Sequence, residues 1–463
     1  MGQKTKIVCT IGPATAAEEQ LRALIVAGMD VARLNFSHGS HEEHGQVIAR
    51  IRRLAGELKA AVAILQDLAG PKVRIGSFAT GAVEVHAGDR FTLTTRPIEG
   101  SQHEVSVSYP LLPREVKRGD TLLLADGTIE LEVEQVVGDD IVCRVVVGGV
   151  LSGRKGVNCP SGLFGLPILR EKDLDDLRFG LEQGVDYLGV SFVRTVEDVH
   201  TARQEVRKLG GSIPIIAKIE TQAALHHFDD ILAEADGIMI ARGDLSIETP
   251  FARVPIVQKQ LIAKANRRAK PVITATQMLY SMVESPRPTR AEVTDVANAV
   301  IDGSDAVMLS DETTVGRYPI RAVQTMAAII ADTESARLRV TALREEEQED
   351  GARPTEEEAL AQAACQLAAR LEVEAIVTLT VEGRTARYVA KYRPLQPILA
   401  ATPRPDTYRR LALVRGVVPL LLPAAAQTTE EMIHAARAVA RECGWQGQKA
   451  VFVSNTSVWR GEL

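Results

Sequence analysis

The chain has 463 residues, room for roughly three domains at a prior of about 150 residues each. Its composition, 45% hydrophobic and 25% charged, is that of an ordinary globular protein, and a net charge of −6 argues against bulk attraction to nucleic acid or an anionic membrane, so any anion site must be local. The five cysteines (Cys9, Cys143, Cys159, Cys365, Cys443) form no CxxC pair and no run of about 18 apolar residues occurs, so we expect small buried thiols in a reducing, cytoplasmic setting without a membrane span.

An apolar strand over 6–11 opens the chain, followed by the turn Gly12-Pro13, a helix over 16–27, and a strand over 30–36 that leads into Ser37 and His38. Ser37 or Ser40 can cap a helix running to about 58, and 61–67 is a third strand. Successive βα units of this kind build a parallel sheet. Between 71 and 167 the helical period gives way to short alternating segments at 90–95, 104–109, 121–125, 128–137 and 141–147, with Asp126-Gly127 as a hairpin signal. Strands then resume at 187–192, 215–220, 237–241, 271–276 and 305–309. A helical stripe of Leu225, Phe228, Ile231, Leu232 and Ala235 lies between the second and third of these.

The pattern predicts an α/β protein built on a TIM (β/α)8 barrel over 1–70 and 168–338, with an all-β, barrel-like lid domain over 71–167 inserted after strand 3. A C-terminal open α/β domain over 339–463 carries strands at 375–380, 397–402, 417–422 and 450–454. The acidic run 344–358 reads as a solvated linker between barrel and C-terminal domain.

Chemistry collects at the predicted strand ends, the face where barrel enzymes place their sites: Arg33, Asn35, Ser37, Asp67, Arg74, Lys218, Glu220, Asp244, Thr276 and Ser310. Glu220 and Asp244 are hard oxygen ligands without His or Cys close in sequence, which favours Mg2+ or Mn2+ over zinc. Lys218 can neutralise an oxyanion that the metal also holds, and Arg33 and Arg74 can clamp a phosphoryl group. Lys218 and Glu220 could equally form an ion pair inside the barrel, but further charge on the same rim favours a site, because unpaired buried charge is costly. Arg242-Gly243-Asp244 resembles an adhesion tripeptide, a reading that a buried strand end removes. His38, His41 and His44 are spaced as helix-borne ligands but read as a solvated first helical turn, and Met278, Met282 and Met308 as core filler.

Several stretches carry a family resemblance: KTKIVCTIGPAT (4–15), AGMDVARLNFSHG (27–39), RKGVNCP (154–160), AKIETQAALHHFDDIL (217–232), DGIMIARGDLSIE (236–248) and the run from 274 to 313. They resemble the pyruvate kinase family over almost the whole barrel, and GRTARYVAKYRP (383–394) resembles its C-terminal domain more loosely. The resemblance implies a phosphotransferase that moves the phosphoryl group of phosphoenolpyruvate to ADP, giving pyruvate and ATP. It also implies a homotetramer and a sugar-phosphate or nucleotide effector. By the same resemblance Glu220 and Asp244 hold the divalent metal, Lys218 stabilises the enolate, and Thr276 lies near the carbon that is protonated through a water relay. Backbone amides of Gly243 and Asp244 receive the substrate carboxylate, Arg33 and Arg74 contact the transferred phosphoryl group, and Asn35, Arg74 and Lys155 lie near the nucleotide. Two alternatives stay open: a Mg2+-dependent lyase or aldolase that makes a pyruvate enolate, and a catalytically silent metabolite sensor.

Three departures from the family pattern bear on function. In Asp67-Leu68-Ala69-Gly70-Pro71-Lys72-Val73-Arg74, Lys72 replaces a glutamate of the potassium-dependent members. Its ammonium can supply the charge that K+ would bring to Asn35, Ser37, Asp67 and Leu68, so we expect no K+ requirement. Asp311 and Ser246 stand where glycine is common and read as local variants. In the loop around Thr380, Glu382, Arg384 and Thr385, Glu382 puts a carboxylate in a phosphate cradle. We therefore expect weak or absent activation by fructose 1,6-bisphosphate, with a monophosphate still able to use Thr380, Arg384 and Thr385.

Overall fold

The computed structural model describes residues 3–160, 162, 165–340, 354–426, 428–445, 447–454 and 457–462. Eight parallel strands close into a barrel in sequence order: Lys6–Thr10, Val31–Asn35, Ala63–Asp67, Tyr187–Val190, Ile215–Ile219, Gly237–Ala241, Val272–Ala275 and Ala306–Leu309. The ring shuts where Lys6 pairs with Ala306. Strand side chains alternate between the two faces, so one inward position every second residue runs up the barrel. Val8, Val31, Leu65, Ile216 and Met308 belong to the interior core. Two residues further on, the same faces carry Thr10, Arg33, Asp67, Lys218 and Ser310. The barrel is thus apolar at its base and charged at its C-terminal rim. Outside the strands, a second core packs them against a helical layer through residues such as Leu24, Ile51, Val199 and Ile262.

Local chemistry sets the helix starts. Ser40, not Ser37, caps the His41–Glu57 helix, in a capping box with Glu43. The expected single helix after the fifth strand is two short ones, Gln222–His226 and Phe228–Glu234, broken at His227. His41 and His44 do not form a plain solvated turn: His41 stacks on Phe179 and meets Asp176 at 2.7 Å, and His44 stacks on Phe36.

The insertion holds a seven-stranded sheet in the order Val73–Arg74, Gly156–Asn158, Thr121–Leu124, Ile129–Val137, Asp140–Val147, Arg90–Thr94, Glu104–Ser106. A bridge between Ile75 and Val107 joins its two ends, so the sheet curls nearly into a barrel of its own. The Asp126-Gly127 hairpin forms as expected, with Ala125, Asp126 and Gly127 all at positive φ (50°, 57° and 83°). Strands Val73–Arg74, Ala82–Val85, Gly149–Ser152 and Gly156–Asn158 are too short to show an alternating pattern and were not anticipated.

In the C-terminal domain, Val417–Leu421, Ile398–Thr402, Ala375–Leu379 and Lys449–Val453 run parallel, and an unanticipated fifth strand, Val458–Glu462, adds an antiparallel edge. Cys9, Cys143 and Cys159 are buried, whereas Cys365 is half-buried and Cys443 exposed at the end of the Thr429–Glu442 helix. Of the acidic run, 344–353 lies outside the described residues, and 356–358 opens the Glu356–Arg370 helix.

The C-terminal domain docks on the base of the barrel. Its Ala412 and Leu413 join the barrel's interior core from below. Around this plug, buried Asp186 accepts from the Ile64 amide, from Arg52 Nη2 and from Arg409 Nε, each at 2.8 Å. Lys6 Nζ donates to Val417 O at 2.9 Å, and Arg393 Nη1 meets Asp305 Oδ1 at 2.8 Å. Asp186→Ala leaves two guanidinium groups facing each other without their shared carboxylate. We expect it to lower stability by about 3–5 kcal/mol, read as an earlier midpoint in urea unfolding; an unchanged midpoint contradicts this account.

Candidate active site

At the rim, Lys218 is the centre of a closed charge network. Only 8% exposed, its Nζ lies 3.1 Å from Asp67 Oδ1 and 3.0 Å from Glu220 Oε1, and it donates to Ser191 Oγ at 2.7 Å. Burial by itself lowers its hold on the proton, but Asp67 and Glu220 outweigh that and hold the ammonium above the ordinary lysine value. Asp67 also takes Arg33 Nε at 2.7 Å, while Arg33 Nη1 donates to Thr10 Oγ1 at 3.0 Å. Burial raises the Asp67 carboxyl, and Lys218 and Arg33 together more than reverse it, so it sits below the ordinary value.

Glu220 is different. Burial raises it, Lys218 draws it back, and Asp244 and Asp67 raise it again, leaving it above the ordinary glutamate value although Phe192 N donates to its Oε2 at 2.7 Å. A buried carboxylate crowded by two others is short of cations, and a divalent ion shared with Asp244 relieves that shortage. The pair therefore fits a hard metal. Among the described residues no group of three or more His, Cys, Asp or Glu is placed to hold a metal.

Backbone strain gathers at the same rim. Phe192, Thr276 and Gln277 have φ of 58°, 72° and 54°, left-handed values that cost energy for residues with a Cβ. Thr276 Oγ1 accepts from the Gly243 amide at 2.8 Å and donates to Ala275 O at 2.6 Å. The Gly243 amide expected to receive a carboxylate is thus engaged with Thr276 in this structure. Arg242 clamps the turn, donating to Thr276 O at 2.8 Å and pairing with Asp295 at 2.7 Å. The arginine of the adhesion-like tripeptide is a positioning residue. Ser310 closes the eighth strand, its amide donating to Glu312 Oε2 at 2.7 Å, while Glu312 Oε1 accepts from Leu279 N at 2.9 Å.

The lid meets the rim through Lys72 and Asn158. Lys72 Nζ lies 3.4 Å from Asp244 Oδ1 and 5.9 Å from the centre of the Phe192 ring. A Cβ on Gly156 would come within 2.8 Å of Lys72 Cε, so that glycine makes room for the side chain. Lys72 therefore pairs with Asp244, not with Asn35, Ser37 or Asp67 as the sequence suggested. Asn35 Oδ1 accepts the Ser37 amide at 3.1 Å, and Leu68 O accepts from Ser191 Oγ at 2.7 Å.

Arg74 is not on the barrel rim. It belongs to the lid's Val73–Arg74 strand, is exposed, and donates to Arg154 O at 3.1 Å. Lys155, also exposed, precedes Gly156, the residue that pairs with Arg74 in the lid sheet. In the C-terminal loop the Thr380 hydroxyl accepts the Gly383 amide at 2.9 Å, Thr380 and Thr385 are buried, Glu382 is exposed, and Arg384 lies 3.6 Å from Glu357.

Four rim residues escaped the sequence reading: Ser191, Phe192, Arg242 and Glu248. All stand just past a barrel strand or in the short helix after one, which was the available signal. A cavity of about 50 Å3, lined by Lys72, Asn158, Phe192, Thr221 and Glu248, adjoins the network.

Comparison with known proteins agrees with the geometry. The family model described as the pyruvate kinase barrel domain matches residues 2–323, and the pyruvate kinase alpha/beta domain matches 358–462. Pyruvate kinase 2 of Synechocystis is 49% identical over 442 residues, 94% of this chain and 74% of that one. Pyruvate kinase of Thermotoga maritima is 44% identical, covering 92% of this chain and 91% of the relative. A crystal structure of a pyruvate kinase from Cryptosporidium parvum superposes with a TM-score of 0.92 at 39% identity, over 99% of this chain and 96% of that one.

Glu248 links lid, barrel and acidic cluster. Its carboxylate accepts from Asn158 Nδ2 and from the Gln222 amide, each at 3.2 Å. Burial, abetted by Asp244 and Glu220, pushes it from 4.5 up to about 7. The folded chain therefore binds this proton more tightly than the unfolded one, so the group's contribution to stability is full at low pH and is lost as pH rises through about 7. In metal-free buffer Glu248→Gln is expected to shrink the loss of stability between about pH 5 and 8 by on the order of 2 kcal/mol. Urea unfolding at both pH values checks it; parallel losses in the two proteins refute it.

Proposed function

The chain belongs to the pyruvate kinase family, and on that premise we propose the following roles for its rim. The reaction is the family's: the phosphoryl group of phosphoenolpyruvate passes to ADP, giving pyruvate and ATP, in chemistry that uses a divalent metal. The lyase or aldolase and the silent-sensor alternatives find no support among the relatives.

The observation that carries the assignment of roles is the buried Lys218 ammonium between Asp67 and Glu220. As the phosphoryl group leaves, the electron pair of the breaking bond stays on the enolate oxygen. A buried ammonium kept protonated by two carboxylates meets that charge without reorganising, where water would have to turn. Glu220 and Asp244 would hold Mg2+ or Mn2+, which when bound supplies positive charge against the substrate's carboxylate and phosphate oxygens. Arg33, pinned by Asp67 and Thr10, faces the transferred group with a fixed guanidinium. Thr276, held by Ala275 and Gly243 and clamped through Arg242, orders the water that delivers a proton to the enolate carbon, with Ser310 completing the polar rim. The Asp244 amide would receive the substrate carboxylate, joined by that of Gly243 only if it leaves Thr276 Oγ1. Arg74 and Lys155 of the lid and Asn35 of the barrel contact the nucleotide, which brings Arg74 to the phosphoryl group only as the lid closes and excludes water.

Lys72 puts an ammonium into the acidic cluster from the lid side, at Asp244, and this is the basis for K+-independent activity. The loop from Thr380 to Thr385 offers buried hydroxyls and an exposed Glu382, a poor receptor for a bisphosphate. We extend the family's homotetrameric assembly and a cytoplasmic location to this chain, the former open to light scattering. No described helix is long and apolar enough to cross a membrane.

Pyruvate formation from phosphoenolpyruvate and ADP with Mg2+, in buffer free of Na+ and K+, tests both charges. Lys218→Met is expected to lower kcat by at least about 10²–10³ while melting as a folded protein, and added KCl to change the wild-type rate by less than about twofold. A folded Lys218→Met of near wild-type rate would sink the Lys218 role; strong activation by KCl would sink the Lys72 one. In the same assay, micromolar fructose 1,6-bisphosphate is expected to leave the half-saturating phosphoenolpyruvate concentration unchanged, and a large drop would overturn the reading of Glu382.

A further inference from the structure

The lid meets the barrel along the Arg242–Glu248 helix that follows the sixth strand. Lys72 pairs with Asp244 in the first turn of that helix. The Asp126-Gly127 hairpin lies over Ile247, whose Cγ2 stands 3.5 Å from the place of a Cβ on Gly127. Asn158 meets Glu248 at the last helical residue.

Glu248 also reaches back into the barrel. Its Oε1 accepts from Asn158 Nδ2 and its Oε2 from the amide of Gln222, each at 3.2 Å, and Gln222 lies two residues beyond Glu220. One carboxylate therefore joins three segments: the lid strand Gly156–Asn158, the turn that follows Glu220, and the helix that carries Asp244.

Local stability does not explain a carboxylate at this position. It ends a helix, where unsatisfied carbonyls gather, and it has Asp244 and Glu220 as like-charged neighbours. It makes no ion pair among the described residues. The seam around it is not close-packed either, for the cavity of about 50 Å3 lined by Asn158, Thr221 and Glu248 lies there. With few packed atoms across that gap, the two hydrogen bonds hold lid and barrel together at this point.

We propose that Glu248 is a positioning residue, which fixes the segments bearing Glu220 and Asp244 relative to each other and fastens the lid to both through Asn158. The first half rests on the assignment of the divalent metal to Glu220 and Asp244. Thr221 holds the same turn independently, donating to Val193 O at 3.2 Å and accepting the Ala224 amide at 3.1 Å, so without Glu248 the turn shifts but does not unravel. The second half rests on Lys155 as a nucleotide contact, since Asn158 lies three residues beyond it in the lid and steadies it when fastened.

Electron paramagnetic resonance of Mn2+ added to the full chain counts bound metal without turnover. Glu248→Ala loses both bonds and is expected to bind Mn2+ at least about tenfold more weakly than the wild type. Gln222→Pro keeps the charge and removes only the donor, at the first helical position, where proline is tolerated. It is expected to weaken Mn2+ binding by about fivefold or more. Glu248→Gln removes the charge and keeps the bonds, its Oε1 taking the Gln222 amide and its Nε2 meeting Asn158 Oδ1 once that side chain turns over. Its Mn2+ affinity is expected to stay within about threefold of the wild type. Asn158→Ala breaks only the lid bond and is expected to raise the KM for ADP about threefold or more with Mn2+ affinity unchanged. Wild-type Mn2+ affinity in Glu248→Ala or in Gln222→Pro, or a loss in Glu248→Gln as large as in Glu248→Ala, overturns the metal half; an unchanged KM for ADP in Asn158→Ala overturns the lid half. A wild type that binds no Mn2+ overturns instead the assignment of Glu220 and Asp244, and the metal half with it.

Discussion

A buried ammonium cannot stand alone in a barrel. Lys218 is held where it is because Asp67 and Glu220 close around it, and each of these carboxylates recruits a further partner: Arg33 for Asp67, the Phe192 amide for Glu220. In a low-dielectric interior the penalty for leaving any of these groups unpaired is several kcal/mol, so the set forms together or not at all. Two cations face Asp67, Glu220 and the nearby Asp244; burial first, then Asp244 and Asp67, hold Glu220 above its ordinary value, while Lys218 and Arg33 hold Asp67 below it. Lys72 adds an ammonium to the cluster from the lid, at Asp244.

The rest of the fold serves that cluster from two sides. Above it, the inserted sheet reaches the rim through Lys72 and Asn158, each meeting a carboxylate in or after the sixth strand's short helix. Below it, Ala412 and Leu413 fill the base that the strands cannot fill themselves, and Asp186 ties Arg52 and Arg409 across the seam. The apolar base resists deformation because it is close-packed, while the rim carries left-handed backbone at Phe192, Thr276 and Gln277 beside its buried charge.

Much of this was legible in the chain itself. Eight buried strands alternating with helical stripes leave few topologies open, and the switch from apolar to charged residues at each strand end marks the rim, so Arg33, Asp67, Lys218, Glu220, Asp244 and Thr276 could be picked out in advance. The Asp126-Gly127 turn was readable because positive φ leaves few residue choices. Two- to four-residue strands such as Val73–Arg74 and Gly156–Asn158 were not, since two residues carry no period. Arg74 was accordingly placed on the wrong element.

What the sequence determined by itself was periodicity and local chemistry: which residues face inward, where helices are capped, and where charge ends a strand. Those are properties of neighbours a few positions apart. What only the tertiary structure decided was pairing across distance. Lys72 meets Asp244 across 172 residues, Arg242 turns from an adhesion-like motif into the clamp on Thr276, and Asp186 joins two domains. Electrostatic partnership depends on distances of about 3–4 Å and on the local dielectric, and neither exists until the strands have closed.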